Sequence, residues 1–248
     1  PLIPKLHEAG FAVLALDMRG HGESVQPATM RLRERVAQRD PALFNDMYQD
    51  VAAAYVWLAG KPNVDPSQFG LVGASVGCSV ALDYATRDKS VDAVVCLTPG
   101  EKYLGVDSVE DIKAVGRRAM LLLTTEGERA DSDSLAKLNP GAEVRVVGKG
   151  VVHGTNMFGK MAGIEDQIVA FLNAHVRSGG EKPVAASLHG HEYFAVGSAE
   201  DIKLDPKERR LFSSLEEARA RGLTGPDSPS EGKMIDTQED RTDRGGVP

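Results

Sequence analysis

Short apolar runs alternate with helical segments along most of this chain, and this alternation limits its possible folds more than any other feature. Between the runs, apolar side chains recur at three- and four-residue steps, as in residues 43–58, which predicts helices with one buried face. Strand, helix, strand, helix at this spacing predicts an α/β fold, a mainly parallel sheet with helices on both faces. The apolar runs are residues 11–17, 69–72, 91–97, 119–124 and 143–147.

Composition and charge narrow the possible partners. The formal net charge is −7 and acidic and basic residues are mixed without a basic block, which argues against nucleic acid and anionic membrane surfaces. No apolar run reaches the roughly 18 residues of a membrane span. Cys78 and Cys96 lie in apolar segments, and we expect two buried thiols rather than a disulfide.

The chain divides into regions of different composition. Residues 1–176 carry the alternating pattern, and residues 177–187 open with Ser-Gly-Gly and are predicted to be a linker. Residues 188–224 predict a small ββα-like unit, with strands at 192–196 and 210–212 and a helix at 215–221. Residues 225–248 have almost no apolar side chains and are predicted to be disordered. Because the first residue is Pro1, we expect a longer natural chain, which leaves the cellular compartment open.

A glycine-flanked serine is the strongest indication of chemistry. Residues 73–77 (G-A-S-V-G) follow a predicted buried strand and open a predicted helix. A sharp strand-to-helix turn can project the Ser75 hydroxyl toward a base, and Gly73 and Gly77 are expected to permit the close packing that such a turn needs. The serine then lies at a helix N-terminus, where the amide of Val76 can donate to a developing oxyanion.

A histidine follows the last predicted strand. His153 lies in a glycine-rich loop, G-K-G-V-V-H-G-T, after the run at 143–147. The carboxyl ends of parallel strands meet at one edge of a sheet, so His153 and Ser75 are expected to lie close together. The imidazole can then accept the serine proton and deliver it to a leaving group.

A third member of such a site is a carboxylate that orients the imidazole. Four acidic residues after the run at 119–124 qualify by position, and spacing alone does not choose among them. They are Glu126, Glu128, Asp131 and Asp133.

Three other histidines are interpreted as structural. His21 lies between two glycines in a turn-rich loop, and His189 and His191 have no third ligand nearby, so no metal site is predicted. The segment 193–229 is similar to the zinc-binding domain of the Ada DNA-repair protein, but no cysteine follows Cys96, so we predict no zinc there.

Taken in order, the motifs resemble the α/β-hydrolase superfamily, in particular bacterial esterase-like serine hydrolases. The residues that carry the resemblance are FAVLALD, then D-M-R-G-H-G-E-S, then G-A-S-V-G, then a late H-G-T, over residues 1 to about 176. The resemblance implies Ser75 as nucleophile and His153 as base, with no cofactor. An ungapped overlay with esterase-like members places the acid on Glu128, and a slightly longer loop would place it on Asp131.

The chain departs from this superfamily in two ways. The first three strands and the loop that supplies a second oxyanion N–H are missing, which implies an N-terminally truncated member. The third strand would lie between residues 11–17 and 69–72, so we expect a gap there and an exposed apolar edge. Residues 98–118 leave little room for a lid, which indicates an open site for a small substrate.

The expected function is a serine hydrolase that cleaves small carboxylic esters through an acyl-enzyme. The alternative is a catalytically inert hydrolase-fold protein that binds a ligand or partner. Thioester, peptide and peroxy-acid chemistry use the same three residue types, and the sequence does not separate them. It also leaves open the particular substrate and the oligomeric state.

Overall fold

A four-stranded parallel sheet forms the centre of the molecule. The computed structural model describes residues 1–176, 184–195, 198–205, 208–212 and 215–225. The strands are paired in the order β1-β2-β5-β6, and the register is parallel throughout. This architecture confirms the predicted α/β class. The four strands are β1 (Phe69–Ala74), β2 (Val91–Leu97), β5 (Ala119–Thr124) and β6 (Ala142–Val146).

Helices cover both faces of the sheet because its strands are apolar on both sides. On β2, Val94 and Cys96 pack into one buried cluster with helices α2 to α7, whereas Val95 and Leu97 pack into another with α1 and α8. The helices are α1 (Leu2–Glu8), α2 (Leu32–Ala37), α3 (Pro41–Asn45), α4 (Tyr48–Ala59), α5 (Val76–Arg87), α6 (Ser108–Ala114), α7 (Arg129–Ala136) and α8 (Ile164–His175). Three short 3-10 turns are Ala28–Met30, Glu126–Glu128 and Gly154–Met157.

The predicted strand at residues 11–17 is wrong. The structure describes this whole segment and assigns it no strand. A cavity of about 880 Å³ is lined both by this segment and by β1. No described strand lies between the two, so the backbone of residues 11–17 lacks the neighbour that a ladder requires, and β1 is an edge strand.

Two short strands, β3 (Lys102–Tyr103) and β4 (Val106–Asp107), form an antiparallel hairpin after β2. This hairpin and α6 occupy residues 98–118, the connection predicted from its length to leave little room for a lid.

The C-terminal unit is a three-stranded antiparallel sheet in the order β8-β7-β9. Its first strand lies at Val184–Ser187, inside the predicted linker 177–187, so that part of the linker prediction is wrong. The remainder of the linker and residues 226–248 of the predicted disordered tail lie outside the described residues. The unit consists of β7 (Val184–Ser187), β8 (Tyr193–Ala195), α9 (Ala199–Ile202), β9 (Arg209–Phe212) and α10 (Leu215–Ala220).

Cys78 and Cys96 are both buried free thiols.

The longest helices in the described part of the chain have 12 residues, too few to cross a bilayer.

Candidate active site

Ser75 lies between β1 and α5 in a strained backbone conformation. Its φ is 54° and its ψ is −127°, in a region that residues other than glycine rarely occupy. Its amide donates to the carbonyl of Leu97 at 3.0 Å, which ties the turn to the end of β2. Backbone strain of this kind costs about 1–3 kcal/mol and persists where surrounding structure enforces it, most often at functional sites.

The two glycines of the turn have different surroundings. A Cβ on Gly73 would lie 2.3 Å from the carbonyl oxygen of Gly77, so only glycine fits there. A Cβ on Gly77 would meet no atom within 4 Å. Gly77 therefore contributes its backbone to the close packing at Gly73, while it also lines the cavity beside β1.

His153 contacts Ser75 directly. The loop that follows β6 carries the imidazole to the carboxyl ends of the strands, where Nε2 lies 2.8 Å from the Ser75 Oγ. Backbone bonds hold this loop against the one after β5, since Gly127 N donates to Gly150 O at 2.8 Å. The His153 side chain is 39% exposed, so the pair is open to solvent and to a substrate.

Glu128 is the carboxylate that the structure places against His153. Its Oε1 lies 2.6 Å from Nδ1, and its side chain is 21% exposed. Glu128 is the last residue of a 3-10 turn directly before α7, whereas Asp131 and Asp133 lie within α7 itself. Asp133 pairs with Arg129 at 2.7 Å. Among the hydrogen bonds of the described residues, none joins Asp131 or Glu126 to the imidazole.

These contacts define the tautomer. A carboxylate accepts, so Nδ1 carries the proton and donates it to Glu128, while Nε2 accepts from the Ser75 hydroxyl. The second oxygen of Glu128, Oε2, is buried and has no hydrogen-bond partner within the described part of the chain. The carboxylate is therefore directed at the imidazole through one short bond.

Thr98, which sequence reasoning did not select, buttresses the histidine. Its Oγ1 lies 3.2 Å from the His153 Nδ1, accepts from the Gly154 amide at 2.8 Å, and donates to the Leu97 carbonyl at 2.8 Å. Thr98 follows β2 with a φ of 50°, so neighbouring strands β1 and β2 both end in a strained residue at this site. Its position after an apolar run was the available indication in the sequence.

Tyr103 on the β3–β4 hairpin is the second residue that sequence reasoning missed. Its ring lies 6.2 Å from the His153 ring, edge to face. Burial raises the pKa of the Tyr103 phenol, and the nearby charge of Glu128 acts in the same direction. A Cβ on Gly100 would lie 2.6 Å from this ring, so the absence of a side chain at Gly100 allows the ring to pack against the backbone there.

The amide of Val76 completes the arrangement. Val76 is the first residue of α5, so its N–H has no acceptor within the helix and lies beside Ser75. The positive end of the helix dipole favours negative charge at this position. The site can therefore activate a hydroxyl and stabilise an oxyanion on the same turn.

His21, His189 and His191 lie away from Ser75 and His153. His21 packs against Phe44 with ring centroids 6.5 Å apart, and its Nδ1 lies 3.2 Å from the Arg19 carbonyl. In the described part of the chain, no cluster of three metal-ligating side chains occurs, His189 and His191 included.

Comparison with known proteins agrees with this fold. A family model described as alpha/beta hydrolase fold matches residues 1–139 of the 248. No curated protein sequence matches the chain significantly.

Two solved structures are similar to parts of the chain. One is a predicted CIB-like hydrolase from Thermoplasma acidophilum, with 18% identity, a TM-score of 0.46, and coverage of 64% of this chain and 70% of that one. The other is a dienelactone hydrolase-like promiscuous phosphotriesterase from metagenomic libraries, also with 18% identity and a TM-score of 0.46, over 68% of this chain and 76% of that one.

Proposed function

The chain belongs to the alpha/beta hydrolase fold family, and from this premise we propose that it is a serine hydrolase of small carboxylic esters. Membership of the family supports hydrolysis as the reaction class. The observation that carries the finer proposal is the chain of two short contacts, Ser75 to His153 at 2.8 Å and His153 to Glu128 at 2.6 Å.

In the proposed reaction, the Ser75 Oγ attacks the ester carbonyl carbon as its proton passes to the His153 Nε2. Glu128 stabilises the imidazolium that forms. The Val76 amide donates to the oxyanion of the tetrahedral intermediate. The tetrahedral intermediate then collapses: its bond to the alkoxide oxygen breaks and the imidazolium protonates that oxygen. The alcohol leaves, and the acyl group remains on the Ser75 Oγ as an acyl-enzyme.

The second half repeats these steps with water. His153 takes a proton from water, the resulting hydroxide attacks the acyl carbon, and Ser75 recovers its proton as the carboxylic acid leaves. No cofactor is required for these reaction steps.

A small substrate is favoured by what surrounds the site. The hairpin β3–β4 and the ring of Tyr103 approach His153 from one side, and His153 remains 39% exposed on the other. Thioesters and peptides share the mechanism, but a short connection after β2 offers little surface on which a long chain could be bound.

Replacing the nucleophile tests the proposal. We expect Ser75→Ala to lower turnover of p-nitrophenyl acetate and butyrate by on the order of 10³ or more, because no acyl-enzyme can form. Ser24→Ala, at an exposed serine outside the site, should hydrolyse both esters at the unchanged rate.

A fluorophosphonate probe gives a second readout. Labelling that maps to Ser75 and disappears in Ser75→Ala would support the enzyme. Equal turnover by the unchanged protein and by Ser75→Ala would refute the assignment of Ser75 as nucleophile. If the unchanged protein shows neither labelling nor turnover, it would instead be the inert binding protein of the same fold.

A further inference from the structure

A second cavity lies far from Ser75. It has a volume of about 670 Å³, is open to solvent on one side, and is lined by α4, the end of α5 and the C-terminal unit. Ser75 precedes the first residue of α5, whereas Arg87, the last residue of this helix, lines the cavity. A helix of 12 residues is about 18 Å long, so this cavity is separate from the site proposed for catalysis.

The wall of this cavity is apolar over much of its area. Ala52 and Val56 contribute from α4, and Leu204 and Phe212 contribute from the C-terminal unit. Trp57 also lines it and is 55% exposed, which is unusual for the largest apolar side chain. A cavity of this size and lining is within the range that binds small organic molecules.

The same cavity collects positive charge in a protein whose net charge is −7. Three of its cations are paired with carboxylates: Arg209 with Asp201, Arg87 with Asp83, and Lys89 with Glu217. The other cations lining it are Lys61, Arg210 and Arg221, and no ion pair of the described residues includes any of them.

Aromatic rings hold two of the cations at the wall. The Lys61 ammonium lies 3.8 Å from the centroid of the Trp57 ring, and the Arg87 guanidinium lies 3.9 Å from that of Tyr48. Cation–π contacts of this kind restrict long side chains that would otherwise extend into water. The positive charge is therefore retained beside the apolar wall.

We propose that this cavity binds an amphipathic organic anion, a carboxylate or phosphate attached to an apolar body. Lys61, Arg210 and Arg221 neutralise the anionic group through charge-assisted hydrogen bonds. The apolar body lies against Val56, Trp57 and the side chains of the C-terminal unit. The ligand would therefore contact both the hydrolase fold and the C-terminal unit.

Trp57 is the chain's single tryptophan, so its fluorescence reports on this cavity alone. The protein is titrated with octanoate and with octyl phosphate, each below its micelle concentration, and with octanol and inorganic phosphate as the separated parts. We expect Trp57 emission to change saturably with at least one of the two anions. Octanol and inorganic phosphate should each bind about tenfold or more weakly than that anion. The preferred anion distinguishes a carboxylate ligand from a phosphate ligand.

Variants assign the binding to these side chains. We expect the double change Arg210→Gln and Arg221→Gln to weaken binding of the anion at least about tenfold. Arg117→Gln, at an exposed arginine outside the cavity, should bind as the unchanged protein does. Ser75→Ala should also bind unchanged, which separates this site from the catalytic one.

Three results would overturn the proposal. They are octanol binding as tightly as both anions, unchanged affinity in the double variant, and no saturable change with either anion in a protein whose circular dichroism shows it folded.

Discussion

At the residue scale, Glu128 is the member of the site with the sharpest test. Glu128→Gln keeps the size of the side chain but replaces the carboxylate by a neutral amide, which no longer stabilises an imidazolium. The amide N–H can also donate to the His153 Nδ1 and so hold the wrong tautomer of the imidazole. We expect kcat for p-nitrophenyl acetate to fall by on the order of 10³ to 10⁴, as for the equivalent change in other serine hydrolases. Steady-state kinetics at saturating substrate measures the effect.

Asp131→Asn is the matched control, since Asp131 was the other candidate acid and lies within α7, outside the contacts of His153. Its kcat should stay within about twofold of the unchanged protein. The assignment of the acid would be wrong if Asp131→Asn caused the large loss and Glu128→Gln did not.

How much of the site the sequence could predict depends on the range of the interactions. Ser75 and His153 each lie in a local glycine-rich pattern after an apolar run, so residue order alone suggested them. Thr98 acts on a histidine 55 residues away, and Tyr103 lies on a two-residue strand with no periodicity of its own. Such roles arise from tertiary contact, and single-sequence patterns do not carry them.

At the element scale, α5 and α6 bring two carboxyl groups together. Burial raises the pKa of Asp111 on α6 to about 7, and the charge of Asp83 on α5 adds to this rise. The folded state therefore binds a proton more tightly than the unfolded chain, whose Asp has the ordinary pKa of 3.8. Stability contributed by this group is complete below about pH 4 and is lost as the pH rises to about 7.

Replacing Asp111 by asparagine removes this penalty. At pH 8 we expect Asp111→Asn to unfold at a higher urea concentration than the unchanged protein. The gain in the free energy of unfolding should be about 1 kcal/mol, because partial exposure screens the charge, and it should shrink toward pH 4. Glu110→Gln, an exposed neighbour paired with Lys113, should show a small difference without this trend. A gap that widens toward low pH would contradict the argument.

The same scale shows where sequence patterns predict elements and where they fail. The strands Val91–Leu97 and Ala119–Thr124 were predicted with their observed bounds, because strands buried on both faces of a parallel sheet appear in the sequence as continuous apolar runs. Residues 11–17 have the same pattern, but no strand in the described part of the chain pairs with them, and pairing is a property of two strands. β7 was missed because two of its four residues are alanine, which has little strand propensity.

At the scale of the whole molecule, the two edges of the central sheet are unlike each other. β6 carries Glu143 and Arg145, paired at 2.6 Å, and charged side chains discourage pairing with another chain. β1 has no charged residue, and its Val72 is 39% exposed beside the 880 Å³ cavity. The uncharged edge is therefore a template on which another extended backbone can add.

The consequence concerns how the protein behaves at high concentration. We expect copies of the chain to self-associate through β1, seen as a sedimentation coefficient that rises with concentration in analytical ultracentrifugation. Val72→Lys should suppress the rise, since a charge resists being covered by a second strand. Val146→Lys, an equally exposed valine at the β6 edge, should leave it unchanged; suppression by both, or by neither, would place the association elsewhere. The colloidal stability of this molecule would thus depend on one edge of its sheet as well as on its net charge of −7.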